Sequence, residues 1–338
     1  MPKFTIKLLI GLGLAMLLPI ASGAARSDEA PGGPFNQNLG DMDYGVCRGT
    51  DAKCFHDWPR PKITQYRVLL FTRTAGPRHA DLGKPLDAGL NPALDDSNVV
   101  QREMQKLMAA NGIKLDYTED LKVMLGLNAY NAVIFFSTSR DALDDNAKTA
   151  LRQYMRAGGG FVGIHNAFGT LYNWPYYEGL LGGANYYDHG PERIGDVVVQ
   201  DARDISTQAL PKRWNFTDEW YNLIPFPTHV RFLATVDEKS YGPGIRGEGP
   251  RRPLTPGVAP AGFVPPEQSV VGRNPGHGDF HPVAWCQYYD GGKSWVTTLG
   301  HDAGDFAPSD TDYAGALEFQ KLIVGGIKSV MGAEPFCR

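Results

Sequence analysis

Short apolar runs, separated by segments with helical spacing, dominate the first half of the chain. The apolar runs that predict strands are Tyr66–Phe71, Ala132–Phe136 and Phe161–Ile164, and Lys114–Thr118 predicts a further short strand. Apolar runs bounded by turn signals are typical of parallel strands that helices cover on both faces. Because strands and helices follow in the order β-α-β-β-α-β, the pattern predicts an α/β fold with a doubly wound, mostly parallel sheet.

Two amphipathic segments predict the helices between these strands. The first is expected to begin at Asp96 or Ser97, either of which can act as its N-cap, and to end before Gly112. The second is expected to run from Asp144 to Gly158. Ligands of such sheets bind beyond the carboxyl ends of the strands. The residues that follow Ile164 are therefore predicted to lie at the mouth of a crevice.

The second half of the chain is less regular. The predicted elements are a short helix Trp174–Leu181, the strands Asp196–Val199 and Val230–Val236, a hairpin of Val283–Tyr289 and Ser294–Leu299, and a closing helix Ala314–Met331. Residues 241–276 are rich in glycine and proline and predict a surface insertion. Because no internal repeat or linker divides the chain, one domain over residues 63–333 is predicted.

The first 25 residues predict an export signal. Lys3 and Lys7 precede an apolar run at 8–20, and small residues at 21–25 suit cleavage. The run is too short for a comfortable membrane span. We therefore expect a secreted or periplasmic protein with no membrane attachment once the signal is removed. Residues 26–62 lack periodicity and predict an extended N-terminal arm.

Export places the four cysteines in an oxidising compartment. Cys47 and Cys54 enclose a short polar loop and are predicted to pair. Two alternatives stay open for Cys286 and Cys337. They form a second bridge that holds the C-terminal tail, or Cys286 is a buried free thiol.

Charge argues against two classes of partner. The chain has a net charge of −4, and removal of residues 1–25 takes away two lysines and no acids, which leaves −6. A mildly acidic chain without a basic cluster is a poor candidate for binding nucleic acid or an anionic membrane. The oligomeric state stays open, with a homo-oligomer as one option.

Six short motifs occur in order along the chain. They are Phe71–His79, Gly158–His165, Tyr176–His189, Asp218–Tyr221, His281–Trp285 and Thr298–Asp302. Together they resemble the ThuA-like (trehalose utilisation) family, a branch of the class I glutamine-amidotransferase-like fold, over roughly residues 64–332. The resemblance implies a flavodoxin-like three-layer sandwich and a small-molecule carbohydrate as the partner.

The resemblance also argues against one reaction. In glutamine amidotransferases, the turn after the central strand carries Gly-x-Cys, with the cysteine as nucleophile. In this chain the same place reads Gly163-Ile164-His165. A neutral imidazole is a metal ligand or a proton carrier rather than a nucleophile of that kind. We therefore do not expect amidotransferase activity.

The motifs contain five of the eight histidines of the chain. Histidines at several strand ends can converge in one crevice and, with a carboxylate, suit a catalytic metal. We predict one divalent metal, zinc or similar, at His165, His189 and His301, and no nucleotide cofactor. The residues predicted to take part in catalysis are His165, Asp218, Glu219 and Tyr221. Asp302 is expected to orient His301.

A second set of residues is predicted to bind the substrate. They are Arg78, His79, Trp174, Tyr186, Tyr187 and His281. Aromatic faces stack on the C–H faces of sugar rings, while their polar tips bond to hydroxyl groups. The alternative is that the aromatic residues fill the interface between the sheet and its loops.

Three functions are compatible with these residues. The first is an enzyme that acts on a disaccharide, a glycoside or a 3-keto sugar, as the resemblance implies. The second is a non-catalytic periplasmic sugar-binding protein, which needs the aromatic residues but not the histidines. The third is a hydrolase of another substrate class with a histidine-activated water. No Gly-x-Ser-x-Gly motif supports a serine nucleophile.

Overall fold

The computed structural model describes residues 42–43, 45–58, 65–242 and 274–338. The predicted export signal, most of the N-terminal arm and most of the 241–276 insertion lie outside the described residues.

The described residues form strands, helices and short 3-10 turns. The strands are β1 Met42–Asp43, β2 Val46–Gly49, β3 Arg67–Phe71, β4 Lys114–Thr118, β5 Ala132–Phe136, β6 Gly160–Ile164, β7 Tyr186–His189, β8 Arg193–Val199, β9 Arg213–Asp218, β10 Tyr221–Leu223, β11 Arg231–Asp237, β12 His281–Tyr289 and β13 Gly292–Thr297. The helices are α1 Val99–Ala110, α2 Leu121–Met124, α3 Asp145–Arg156, α4 Pro175–Leu180 and α5 Ala316–Met331.

The main sheet has a parallel half and an antiparallel half. Its strand order is β4-β3-β5-β6-β13-β12-β11-β8-β9, with β2 also paired to β12. The neighbours from β4 to β13 run parallel. From β13 onwards the neighbours run antiparallel, starting with the predicted hairpin of β12 and β13. The predicted α/β fold class is confirmed.

Helices cover both faces of the parallel half and so form three layers. Along β5, Ile134 packs on the side of α1 and α5, where Met104 and Phe319 lie. Val133 packs on the opposite side, where Leu151 of α3 lies. Because successive side chains of a strand point to opposite faces, a fully apolar strand such as β5 is stable only in the middle of such a sandwich.

The start of α1 differs from the prediction. Its N-cap is Asn98, not Asp96 or Ser97. The Asn98 amide donates to the carbonyl oxygens of Leu82 and Lys84, at 2.8 and 2.9 Å. Asn98 therefore ties the start of the helix to the long loop after β3.

The start of α3 agrees with the prediction. The Asp144 carboxylate accepts a hydrogen bond of 2.8 Å from the backbone N–H of Ala147, which is the standard N-cap contact. The apolar positions of the helix, Ala147, Leu151, Tyr154 and Met155, are all buried.

Three strands that border the crevice have no counterpart in the predicted pattern. They are β7, β9 and β10, of which β7 and β10 pair with each other in a separate two-stranded sheet. Strand β7 reads Tyr-Tyr-Asp-His and is half-buried along its length, so it lacks the apolar alternation that reveals a strand. These strands matter because they carry His189, Asp218 and Tyr221.

Both cysteine pairs are bonded. The predicted Cys47–Cys54 bridge is present, and of the two alternatives for Cys286 and Cys337 the structure has the bridge. Paired cysteines are typical of proteins in oxidising compartments. Within the described ranges, no helix has both the length and the apolar character to cross a membrane.

Candidate functional site

A cavity of about 670 Å³ opens beyond the carboxyl ends of the parallel strands. Its walls come from the segments that follow β3, β5, β6 and β13, with further side chains from β7 and β10. This is the place where open α/β sheets bind ligands. Because the carboxyl ends of parallel strands lie at the same edge of the sheet, residues that are far apart in sequence come together there.

His165 lies at the end of the central strand β6 and is completely buried. Its backbone has a φ of 52°, a strained conformation for a residue other than glycine. Its Nδ1 lies 2.9 Å from the carbonyl oxygen of Thr298. Since a carbonyl only accepts, Nδ1 carries the proton. The lone pair of Nε2 therefore faces Tyr221, His79 and His301, which line the cavity.

Three polar groups meet at Nε2 of His165. The Tyr221 hydroxyl lies 2.8 Å away, Nε2 of His79 lies 3.1 Å away, and Nδ1 of His301 lies 3.4 Å away. These residues come from β10 and from the loops after β3 and β13. The sheet topology thus gathers three imidazoles from separate motifs.

Glu219 adds a carboxylate to this group. Its Oε2 lies 3.2 Å from Nδ1 of His301 and 3.6 Å from Nε2 of His189. Glu219, His189 and Tyr221 all line the cavity. His189 lies directly opposite Tyr221 in the pairing of β7 with β10. A carboxylate flanked by two imidazoles is suited to exchanging protons with a bound molecule.

Burial keeps the central groups neutral. Desolvation, followed by the neighbouring histidines, lowers the pKa of His165 well below its ordinary value. The same causes lower the pKa of His79 to about 4. Burial, together with the charge of Glu219, raises the pKa of the Tyr221 hydroxyl well above its ordinary value. Near neutral pH, the two imidazoles keep a free lone pair and the tyrosine keeps its proton.

His79, His165, Glu219 and His301 fit a divalent metal ion. One ligand atom of each lies within 4.8 Å of those of the other three. Ligands that share a metal with bonds of about 2.1 Å lie roughly 3.0–3.4 Å apart, and three of the contacts above are 3.1, 3.2 and 3.4 Å. Imidazoles and a carboxylate are typical zinc ligands. This set differs from the predicted one, because His79 and Glu219 join it while His189 contacts Glu219 from beside it.

Asp218 supports the site instead of lining the cavity. Its buried carboxylate accepts hydrogen bonds from the backbone N–H groups of Glu219, at 2.7 Å, and Gly300, at 2.9 Å. Burial raises its pKa well above the ordinary range. The predicted catalytic role is therefore corrected to a positioning role, since Asp218 holds the segments that carry Glu219 and His301.

His281 also supports the site from behind. Its Nδ1 lies 2.7 Å from the Glu238 carboxylate, and its Nε2 lies 2.9 Å from the carbonyl oxygen of Tyr221. Its ring is buried at the start of β12. The prediction that His281 binds the substrate is corrected, because both nitrogens are used to hold β10 in place.

Arg78 organises the loop after β3. Its guanidinium donates to the carbonyl oxygens of Gly83, Leu82 and Lys84, at 2.6, 3.2 and 3.0 Å. It also pairs with Glu119 at 2.8 Å. Arg78 borders the cavity, but its donors are used within the loop. The prediction that it binds the substrate is corrected to a role in shaping the loop that carries His79.

Of the three aromatic residues predicted to bind the substrate, Tyr186 lines the cavity. Trp174 stacks instead on Tyr176, with ring centroids 5.2 Å apart, beside α4. Tyr187 follows Tyr186 on β7, and successive residues of a strand point to opposite faces. Trp174 and Tyr187 are therefore corrected to positions outside the site. The alternative of aromatic packing is right for Trp174.

The prediction missed several residues that line the cavity. They are Asp81, Ser139, Arg140 and Asn166, and Asp302, expected only to orient His301, lines the cavity as well. Their positions carry a signal that was available, because each lies within a few residues of the carboxyl end of a parallel strand or in the long loop after β3. Such a position predicts that a residue lies at this edge of the sheet, but it does not predict whether its side chain points into the cavity.

A match to a family model gives the relationship to other proteins. Residues 67–328 match the family described as ThuA, trehalose utilisation. The chain belongs to the ThuA family. The predicted resemblance is thereby confirmed, and the family links the chain to carbohydrate utilisation. All four cysteines of this ThuA-family chain are in disulfides, so no thiol is free to act as a nucleophile.

Two solved structures of ThuA-like proteins have a similar fold. One, from Bacteroides uniformis ATCC 8492, is 21% identical with a TM-score of 0.54, over 81% of this chain and 95% of that one. The other, from Parabacteroides merdae ATCC 43184, is 14% identical with a TM-score of 0.54, over 80% of this chain and 91% of that one. No curated protein matches the chain. At these identities the similarity shows the fold alone.

Proposed function

We propose that this ThuA-family protein is an exported enzyme of carbohydrate metabolism that acts on a disaccharide, a glycoside or a 3-keto sugar. The convergence of His79, His165, Glu219 and His301 at one side of a 670 Å³ cavity is the observation that supports an active site. The two disulfides support export. A sugar-binding protein without catalysis has no need for such a cluster.

The four clustered residues would hold a divalent metal, which when bound supplies Lewis-acid polarisation of a carbonyl or a pair of hydroxyl groups. The chain fixes the cluster through backbone contacts. The Thr298 carbonyl orients His165, and Asp218 anchors the N–H groups of Glu219 and Gly300. Such outer contacts keep metal ligands in the right tautomer and direction.

His189, with the Glu219 carboxylate beside it, is the group best placed to move a proton. Both line the cavity, and their polar atoms lie 3.6 Å apart. A base next to a sugar C–H or O–H and an acid next to the oxygen that receives the proton are what isomerisation or elimination of a keto sugar requires. With the lone pair of His165 Nε2 directed at a metal, the Tyr221 hydroxyl would keep its proton and donate a hydrogen bond to an oxygen that develops negative charge.

The cavity has the size and lining for a sugar. A volume of 670 Å³ is within the range of about 300–1,000 Å³ for small-molecule sites. Tyr172 and Tyr186 provide aromatic surface, while Asn166 and Asp302 provide hydrogen-bonding groups. Stacking on one face of a ring with polar contacts at its edge is the usual way to bind a pyranose.

Metal content tests the site directly. Protein purified without chelators is expected to carry about one equivalent of a divalent metal by elemental analysis. His165→Ala and His301→Ala are expected to retain below roughly a tenth of it, because each removes a ligand. His229→Asn, a change at an exposed histidine, is the matched control and should keep the metal. Metal-free wild type with full activity would exclude the metal site.

Turnover separates the enzyme from a sugar-binding protein. Wild type is incubated with trehalose, its 3-keto derivative and an aryl glycoside, and the products are followed by NMR. We expect turnover of at least one, with a loss of at least roughly a hundredfold in Glu219→Gln. If these sugars bind equally well to wild type and His165→Ala and none is converted, the protein is a sugar-binding protein.

A further inference from the structure

Arg140 is a cation in the cavity wall for which the proposed reaction has no role. It lies four residues beyond β5 and lines the cavity together with Ser139 and Tyr172. Its own backbone has a φ of 55°. A residue other than glycine in this conformation is strained, and such strain is concentrated at functional sites. Arg140 is thus held in an unfavourable conformation at the edge of the sheet where ligands bind.

The side chain of Arg140 is held in one direction. A Cβ atom at Gly76 would lie 2.3 Å from Cγ of Arg140, so the glycine leaves room for the arginine stem. The guanidinium carbon lies 5.5 Å from the ring centroid of Tyr172. The backbone is fixed as well, because the Arg140 N–H donates to the carbonyl of Gly169 and its carbonyl accepts from Leu171, both at 2.9 Å.

The charge of Arg140 is not balanced within the described part of the chain. None of the carboxylates there lies within ion-pair distance of its guanidinium. The other arginine in the cavity wall, Arg78, is paired with Glu119 at 2.8 Å. Glu219 is occupied by His301 and His189. A preorganised guanidinium without an acid partner is suited to binding an anionic group of a ligand.

We propose that Arg140 binds a carboxylate of the substrate, so that the preferred substrates are sugar acids such as uronides. This rests on the proposed function, because it assigns the second end of the same sugar site. Tyr186 links the two ends, since its ring centroid is 4.6 Å from that of Tyr221 and it lines the cavity with Arg140. The ring of the sugar then lies along Tyr172 and Tyr186.

A carboxylate fits this site better than a phosphate. The guanidinium fork matches a planar carboxylate with two parallel hydrogen bonds. A dianionic phosphate would leave one charge unbalanced, because Arg140 is the only described cavity-wall arginine without an acid partner. Asp302 in the same wall adds further negative charge against a dianion.

The test compares two ligands that differ only at C6. Methyl glucuronide and methyl glucoside are titrated calorimetrically into wild type, Arg140→Gln and Arg140→Lys. The titrations are run in chelator, so that a metal cannot bind the carboxylate, and repeated with metal. We expect wild type to bind the uronide at least tenfold more tightly, Arg140→Gln to reduce the affinity ratio to near one, and Arg140→Lys to fall between them.

Arg152→Gln is the matched control, because Arg152 lies 5.1 Å from the ring of Tyr176 in a similar stacked contact outside the cavity. It should keep the wild-type ratio. A wild-type ratio of one, no uronide binding, or a preference that survives Arg140→Gln would overturn the proposal. Tighter binding of glucose 6-phosphate than of the uronide would overturn the assignment to a carboxylate. If Arg140→Gln does not fold, the intermediate ratio of Arg140→Lys decides.

The two proposals fail in different ways. Arg140 is not one of the four clustered residues, so its variants should leave the metal content unchanged. If the wild type carries no metal but still prefers the uronide in chelator, only the proposed metal site is refuted. Turnover of neutral sugars without any uronide preference refutes only the role of Arg140.

Discussion

Asp81 shows how a single carboxyl group can be kept protonated by its surroundings. It is 4% exposed in the cavity wall. Burial raises its pKa to about 7, and the charge of Asp302 adds to this effect while Arg78 opposes it. The unfolded chain releases this proton near pH 3.8, the ordinary value. Between these two pH values, ionisation favours the unfolded state.

Asp81→Asn is therefore expected to stabilise the protein in a pH-dependent way. Below pH 3.8, Asp81 is protonated in both the folded and the unfolded chain, and the folded state has its full stability. As the pH rises from 3.8 through about 7, ionisation of Asp81 lowers the free energy of unfolding. The variant should gain on the order of 2–4 kcal/mol in free energy of unfolding at pH 8, and little at pH 4. Urea unfolding in chelator at pH 4, 6 and 8 measures the difference.

The exposed Asp141 provides the matched change, and Asp141→Asn should show no such pH dependence. An equal gain of Asp81→Asn at pH 4 and pH 8 would contradict the interpretation, because it would show that the charge is not responsible.

At the scale of elements, the close packing of α5 depends on two adjacent glycines. A Cβ atom at Gly325 would lie 2.4 Å from Cα of Ser206, and one at Gly326 would lie 2.4 Å from the ring of Trp295. Trp295 belongs to β13, the neighbour of β6 in the sheet. The helix can therefore approach the strands that position His165 and Thr298 only because these positions have no side chain.

Gly325→Ala and Gly326→Ala are each expected to destabilise the fold. Overpacking costs about 1–3 kcal/mol, against a gain of roughly 1 kcal/mol in helix propensity. The net loss should appear in chemical unfolding as up to roughly 2 kcal/mol. Gly126→Ala is the control, since its nearest neighbour would lie at 3.5 Å. Stabilisation by either α5 substitution would show that the helix can move away at no cost.

At the scale of the whole molecule, the two disulfides connect the chain over different lengths. Cys286–Cys337 joins β12 to the C-terminal tail across a sequence separation of 51, whereas Cys47–Cys54 spans 7. Cross-links stabilise chiefly by restricting the unfolded chain, and longer loops give a larger effect. The C-terminal bridge is therefore the more important of the two for stability.

Replacing each pair by alanine tests this difference. Removal of Cys286–Cys337 should lower the free energy of unfolding by about 4 kcal/mol, and removal of Cys47–Cys54 by about 2 kcal/mol. Guanidinium unfolding of the two double variants provides the comparison. Equal losses would show that loop length does not decide the stabilisation.

Local pattern was sufficient to predict much of the fold. Strands β3, β5 and β6 consist mainly of apolar residues, and Asp144 caps α3 as expected. Strands β7 and β10 were not predicted, because short polar strands lack the alternation of apolar and polar residues that indicates a strand. Their pairing depends on tertiary contacts, and it is this pairing that brings His189 and Tyr221 to the cavity.

Local sequence was enough to predict strands β3 to β6, the ThuA motifs and the place of His165 at the end of β6, because each depends on neighbouring residues. The tertiary structure was needed to show which residues meet. It placed His79 and Glu219 beside His165 and His301, and turned Asp218 into a support. The reason is physical: the ligand atoms come from loops far apart in sequence, and the direction of each side chain depends on packing that no local pattern contains.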